Sequence, residues 1–244
     1  MKSEASRVSS TGRTALLGLF TGAAALMAVS CSTRPDPYMG SPSRGQMITH
    51  FDIAVEARGL ALNGDVDAFR DAADDLAELD PADDLPAELI LQLGPMRYEA
   101  REGANARTIE EVTLASARIA RTCGDCHLAN EVPLGDRFTI GGPPPPGSAA
   151  RHMAGLAWTS RLMWDGLIGP SDRTWTAGAQ GLVELGVLPE GLPTNLPPGE
   201  ARVAGVRLRQ LGERAVLTRD PAERVEVLAE IWSTCARCHA AGTP

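Results

Sequence analysis

Two stretches of this 244-residue chain set a pair of cysteines three apart and follow them at once with a histidine: Cys123-Gly124-Asp125-Cys126-His127 and Cys235-Ala236-Arg237-Cys238-His239. On a helix, side chains at i and i+3 lie on one side of a turn. Two thiols so placed can form thioethers with the two vinyl groups of a porphyrin, and the adjoining imidazole can supply a nitrogen to its iron. C-x-x-C-H is the attachment signature of c-type haem. The sequence therefore predicts two covalently bound haem c groups, with thioethers at Cys123, Cys126, Cys235 and Cys238 and iron ligands at His127 and His239. A zinc half-site is the rival chemistry for one such motif. Two motifs in an exported chain favour haem, because c-type attachment follows export.

The export signal is read from the N-terminus. Lys2, Arg7 and Arg13 form a positive region, and Ala15 to Val29 is an apolar run too short to span a bilayer comfortably. Small residues, Ala28-Val29-Ser30, then precede Cys31. Residues 1–30 are predicted to be a cleaved signal peptide. The cysteine at that point resembles a bacterial lipoprotein signal, although Ala28 stands where such signals usually have leucine. The resemblance implies that Cys31 becomes the first mature residue and carries lipid, anchoring the chain to a bilayer in the periplasm or at the outer surface. Ordinary signal cleavage, with Cys31 free or paired, is the alternative. With four of the five cysteines assigned to haem and Cys31 to lipid, none remains for a disulfide.

Residues 31–45 are rich in Pro, Gly and Ser and read as a tether. Removing residues 1–30 takes away three basic residues and one acidic one, leaving a net charge of −10, and every remaining cation is Arg. No basic tract or nucleic-acid motif occurs, which argues against a nucleic-acid partner.

The elements that must position the motifs read as helices, and the predicted class is all-α. Ile48, Phe51, Val55 and Leu62 recur at roughly helical spacing, with Gly64 as a stop. Asp65 can cap a second helix, ended by Asp80-Pro81. A third covers about 86–101 and is interrupted at Gly94-Pro95, as one kinked helix or two short ones. Thr108 and Glu111 form a capping box for a fourth, which carries the first motif. Gly141 through Gly147 is a Pro/Gly linker. The pattern then restarts: a helix over about 152–167, another capped by Ser171 or Asp172, a third over about 200–217, and a last one opened by Asp220-Pro221 that carries the second motif. His50 lies 14 residues before Gly64 and His152 lies 14 before Gly166, while Thr108 and Asp220 each lie 15 before their first motif cysteine. This matching predicts a tandem duplication of a four-helix bundle, each with a C-terminal C-x-x-C-H site. The predicted bundles span 46–130 and 148–244, joined by a linker over 131–147.

A four-helix unit whose last helix ends in C-x-x-C-H resembles cytochrome c prime and its low-spin four-helix-bundle relatives. In that family the sixth-ligand position belongs to the first helix, and this chain offers ligands there. Of four histidines, His127 and His239 are proximal, and His50 and His152 occupy matched places in the two first helices. Met47 and Met153 are alternative sixth ligands, and an open site is the third arrangement. Met47, His50, Ala54, Ala57 and Ala61 share one stripe, as do His152, Thr159 and Met163.

These features predict a membrane-tethered dihaem c-type cytochrome that carries single electrons and is not itself an enzyme. The rival is a haem protein with an open site, binding nitric oxide or carbon monoxide or acting as a peroxidase. Partners would be redox proteins or a respiratory complex. Residues 45–130 hold 17 acidic residues and 7 arginines, whereas 148–244 hold 10 of each. The acidic half is either a solvated face or a docking surface for a basic partner. All four tryptophans lie in the second half, as core packing or as aids to transfer between haems.

Overall fold

Eight α-helices make up the regular structure of the computed structural model, which describes residues 42–83, 85–132, 134, 141–144, 147–189 and 196–240. No strand occurs among these residues, and the all-α expectation holds. The helices are α1 (Pro42–Asn63), α2 (Val66–Glu78), α3 (Ala87–Ala104), α4 (Ile109–Ala129), α5 (Ala149–Ile168), α6 (Asp172–Leu185), α7 (Pro198–Leu217) and α8 (Pro221–Ala240). The predicted signal peptide, Cys31 and the tether up to residue 41 lie outside the described residues, as do several positions of the predicted linker. No helix among the described residues is long and apolar enough to cross a membrane.

Local chemistry accounts for most of the helix ends. Asp65 accepts from the Ala68 amide to open α2, and Ser171 accepts from the Thr174 amide to open α6. Thr108 and Glu111 close the capping box of α4 in both directions. Asp220 Oδ1 accepts from the amides of Ala222 and Glu223 at the start of α8. Gly64 ends α1 at φ +73°, a left-handed conformation that glycine adopts without a Cβ penalty.

Two boundaries differ from the sequence reading. Helix α1 begins four residues before Gln46, whose side chain is buried and clamps the α2–α3 connection instead: Nε2 donates to Asp80 O at 2.6 Å, and Oε1 accepts from the Ala82 amide at 2.7 Å. Helix α3 runs unbroken through Pro95. Gly94 and Pro95 lie on its exposed side, where water can satisfy the carbonyl that loses its amide partner.

Packing follows one pattern twice. Helices α1 to α4 pack in order and α1 also meets α4; helices α5 to α8 pack in order and α5 also meets α8. The motif helices α4 and α8 then pack on each other, α1 meets α8 and α5 meets α4. The described residues form one compact unit. Small residues set the close approaches. Ala57 and Ala61 of α1 and Ala72 and Ala73 of α2 are buried in one cluster with Phe69 and Val112. Between α5 and α6 glycine takes that role, since a Cβ on Gly178 would stand 2.7 Å from Thr159 O. Three of the four tryptophans are core residues, and two of them satisfy their indole N–H internally: Trp175 donates to Ala215 O at 2.9 Å and Trp232 to Ser160 Oγ at 2.7 Å.

Side chains also bridge α1 and α5. Phe51 and Trp164 have ring centroids 5.6 Å apart, and the Arg58 guanidinium lies 4.6 Å from the Trp164 ring. Asp165 is buried beside them, 3.5 Å from Arg161 Nε. Burial raises its carboxyl above the usual range, against the opposing pull of Arg161 and Arg58. The folded chain thus binds a proton at Asp165 more tightly than the unfolded chain does, and stability contributed here falls as pH rises from about 3.8 through the raised value. Asp165→Asn is expected to remove that loss, raising the denaturation midpoint near neutral pH and flattening its dependence on pH in chemical unfolding.

Candidate functional site

The first motif lies in the last two turns of α4, where three other helices converge. Cys126 Sγ donates to Gln92 Oε1 of α3 at 3.4 Å. Asn130, the C-cap of α4, donates from Nδ2 to Cys126 O at 2.8 Å and also to Gln92 Oε1. Burial pushes the Cys123 thiol up to about 12, with the neighbouring Cys126 adding to the shift. Cys126 is also raised by burial, against the Asn130 hydrogen bond. A site that disfavours thiolate suits a neutral thioether, which has no charge to desolvate.

His127 turns away from the cysteines toward α5, its Nδ1 lying 2.8 Å from Ile168 O. A carbonyl only accepts, so Nδ1 carries a proton, and in the neutral imidazole this leaves the lone pair on Nε2, the arrangement of a metal-ligating histidine. Gly124 permits this contact: a Cβ there would stand 2.1 Å from Leu167 O. The first residue inside the motif therefore has no room for a side chain.

The second motif repeats this arrangement with the partners exchanged. His239 Nδ1 lies 2.9 Å from Leu62 O near the end of α1. Burial pushes the Cys235 thiol up to about 12, with Cys238 adding to it. Ala236, the counterpart of Gly124, is fully buried, and here Gly64 supplies the clearance: a Cβ on Gly64 would be 2.9 Å from Ala240 Cβ and 3.1 Å from Ala236 O. Arg237 Nε donates to Glu110 Oε1 at 3.0 Å across the α4–α8 contact, which holds the Glu110 carboxyl below its ordinary range.

The sixth-ligand candidates fall into distinct environments. His50 is 5% exposed, and neither ring nitrogen has a hydrogen-bond partner. Burial lowers its affinity for a proton, and the charge of Arg97 lowers it further, so it is neutral at pH 7. An unsatisfied buried polar group costs about 1–3 kcal/mol, a cost that coordination to a metal would remove. Met47, one turn earlier, is 37% exposed. His152 is half-buried, and its Nε2 is likewise buried and partnerless. It borders a cavity of about 580 Å³ lined by α5, α6, Pro143, Pro144 and Gly147, with Trp158, Gln180 and Glu184 among its walls. None of the motif cysteines lines that cavity. Met153 packs against the core.

Topology places His50 at the first motif's end of the helices. Gln46, one turn before His50, joins the α2–α3 connection, while Gln92 near the start of α3 joins Cys126. In the second half, Ser160 meets Trp232 one turn before Cys235. His152, two turns before Ser160 on α5, is thereby level with the end of α8. Among the described residues no group of three or more His, Cys, Asp or Glu side chains is placed to hold a bare metal ion. Sequence reasoning missed Gln92, Asn130 and Arg97, whose roles arise from contacts distant in the chain. It also missed Gly124, whose small size inside the motif was a legible signal.

Comparison with family models, curated proteins and solved structures returns no match for this chain.

Gly124→Ala is expected to destabilise the fold by about 1–3 kcal/mol, the usual range for overpacking, because the obstructing atom is backbone. Thermal and chemical unfolding of the purified variant would measure it.

Proposed function

We propose that this chain is a membrane-tethered dihaem c-type cytochrome that carries single electrons between redox partners. The observation that carries the reading is that a helix bearing C-x-x-C-H in its last turns recurs in each half, and that each half also places a buried, partnerless imidazole nitrogen on its first helix. The repeated packing of α1–α4 and α5–α8 supports a tandem duplication of a four-helix bundle, and with it the resemblance to cytochrome c prime and its low-spin relatives.

The residues fit the cofactor. Cys123 with Cys126, and Cys235 with Cys238, would hold haem c through thioethers, and His127 and His239 would present Nε2 to iron because Nδ1 is bonded to a carbonyl. His50 would complete the first site from α1, and His152 the second from α5. Haem so bound supplies a one-electron couple at iron. Imidazoles fixed on packed helices keep the ligand geometry the same in both oxidation states, which suits electron transfer. The acidic composition of the first half suits a basic redox partner or the basic face of a respiratory complex, with complementary charge acting mainly on the association rate. Lipid at Cys31 would anchor the exported chain to its membrane. The chain is proposed to be a carrier, not an enzyme.

A second reading has one observation in its favour. The cavity beside His152 gives a small molecule room next to that imidazole, which suits a second site open to nitric oxide, carbon monoxide or peroxide.

Electron paramagnetic resonance of the ferric protein, with carbon monoxide titration of the ferrous form, separates the two. The carrier reading expects two low-spin signals and no carbon monoxide shift, and expects His50→Ala to turn one of the two haems high-spin. A carbon monoxide shift of about half the haem would favour the second reading. High-spin signals from both haems in the unmodified protein would contradict bis-histidine ligation.

A further inference from the structure

The environment of His50 contains a second unsatisfied group. Arg97, on α3, donates from Nη2 to Leu79 O at the end of α2, yet its Nε is buried and has no partner. Leu79 adjoins Asp80, the residue that Gln46 holds one turn before His50, so the α2–α3 connection brings Arg97 and His50 to the same end of the helices. The charge of Arg97 is felt at His50. Gln92, which touches Cys126, lies five residues before Arg97 on the same helix, about 7.5 Å along its axis. Three buried polar atoms thus lack partners together: both nitrogens of a neutral imidazole and the Nε–H of a guanidinium.

The two groups call for opposite things. A neutral imidazole nitrogen seeks a Lewis acid, whereas a buried guanidinium seeks an anion, above all a carboxylate. A bare cation would satisfy His50 and repel Arg97. A simple anion would satisfy Arg97, and could accept from the one ring N–H of His50, but would leave the imidazole lone pair without a partner. A ligand bearing both a metal centre and a carboxylate meets both needs, and haem with its propionates is of that class.

We propose that Arg97 is a carboxylate-binding residue of the first site, its free Nε–H answering a propionate of the haem that His50 and His127 coordinate. This inference rests on the haem reading above and adds a role for a residue outside the motif and its ligands. Arg97 would act in two ways. It would orient the haem edge relative to α3, and its fixed positive charge would offset the propionate charge that otherwise favours ferric over ferrous iron. Beside His152 the cavity is lined by Arg151, which is exposed, and by Glu184, whose charge opposes it, whereas Arg97 has a buried Nε. The two haems would therefore differ in potential, the first being the higher.

A redox titration of the haem-loaded, full-length protein tests this. Arg97→Gln keeps an amide donor for Leu79 O and removes the charge. It is expected to shift the ferric/ferrous equilibrium of one haem about tenfold toward ferric, a fall of about 59 mV, with the other haem unchanged. Arg101→Gln removes an exposed charge one turn further along α3 and is expected to leave both potentials as they were. A merely structural Arg97 would lower the unfolding temperature and leave the potentials alone, and two unchanged potentials in Arg97→Gln overturn the inference while leaving the haem reading intact. Should Arg97→Gln fail to fold, Arg97→Lys is read instead: it keeps the charge without the planar fork and is expected to give an intermediate fall, and a potential identical to the unmodified protein overturns the inference. Absence of covalent haem from the unmodified protein overturns both this inference and the reading beneath it.

Discussion

Each motif histidine is held by the opposite half of the chain. His127 of α4 donates to the last carbonyl of α5, and His239 of α8 donates to a carbonyl in the last turn of α1. This exchange constrains much else. It sets Nδ1–H on a carbonyl, so that the neutral imidazole carries its lone pair on Nε2 in both places. It requires the ends of α1 and α5 to approach the motif helices closely, which is why Gly124 has no room for a Cβ and why Gly64 turns where it does. It also draws α4 and α8 into contact, so the two halves share one interior. Helix ends leave unpaired carbonyls, and here those of α1 and α5 serve as the acceptors that orient the imidazoles.

The interior around this exchange is unequal in the two halves. The first is built on alanine, with His50 and Arg97 left unsatisfied beneath it. The second is pinned by Trp175 and Trp232, both with internal hydrogen bonds, and keeps a cavity beside His152. Buried polar groups without partners are rare in folded proteins, and each calls for an explanation. In the first half, where Arg58 Nε and Glu99 Oε2 are partnerless as well, a ligand bearing metal and carboxylate together would answer the imidazole lone pair of His50 and the Nε–H of Arg97. The second half differs in having one partnerless buried nitrogen, His152 Nε2, on a residue that borders a cavity.

Much of this was legible in the sequence because it is local. The caps at Asp65, Thr108 and Ser171 depend on residues three or four apart, and the helix content followed from them. The spacing of His50 and His152 from Gly64 and Gly166 is enough to place both on first helices. What escaped was non-local or depended on exposure. Pro95 leaves one kinked helix or two short ones open in the sequence, and the structure has one, with that side facing solvent. Met47 shares a stripe with His50, yet it is 37% exposed where His50 is buried, a difference the stripe does not report. The linkage of Gln46 to the α2–α3 connection and of Gln92 to Cys126 joins residues more than 30 apart, which no periodicity reports. The exchange of hydrogen bonds between halves was likewise invisible, since matched spacings say only that two stretches are alike and not how they meet.

The central claim is that both pentapeptides hold haem covalently. Intact mass spectrometry of the exported chain under denaturing conditions tests it most directly, because only thioether-bound haem survives unfolding. The account predicts a mass increased by two haem groups, falling to one when Cys123 and Cys126 are replaced by Ala and equally when Cys235 and Cys238 are. A mass with no haem added, from cells competent to mature c-type cytochromes, would contradict it.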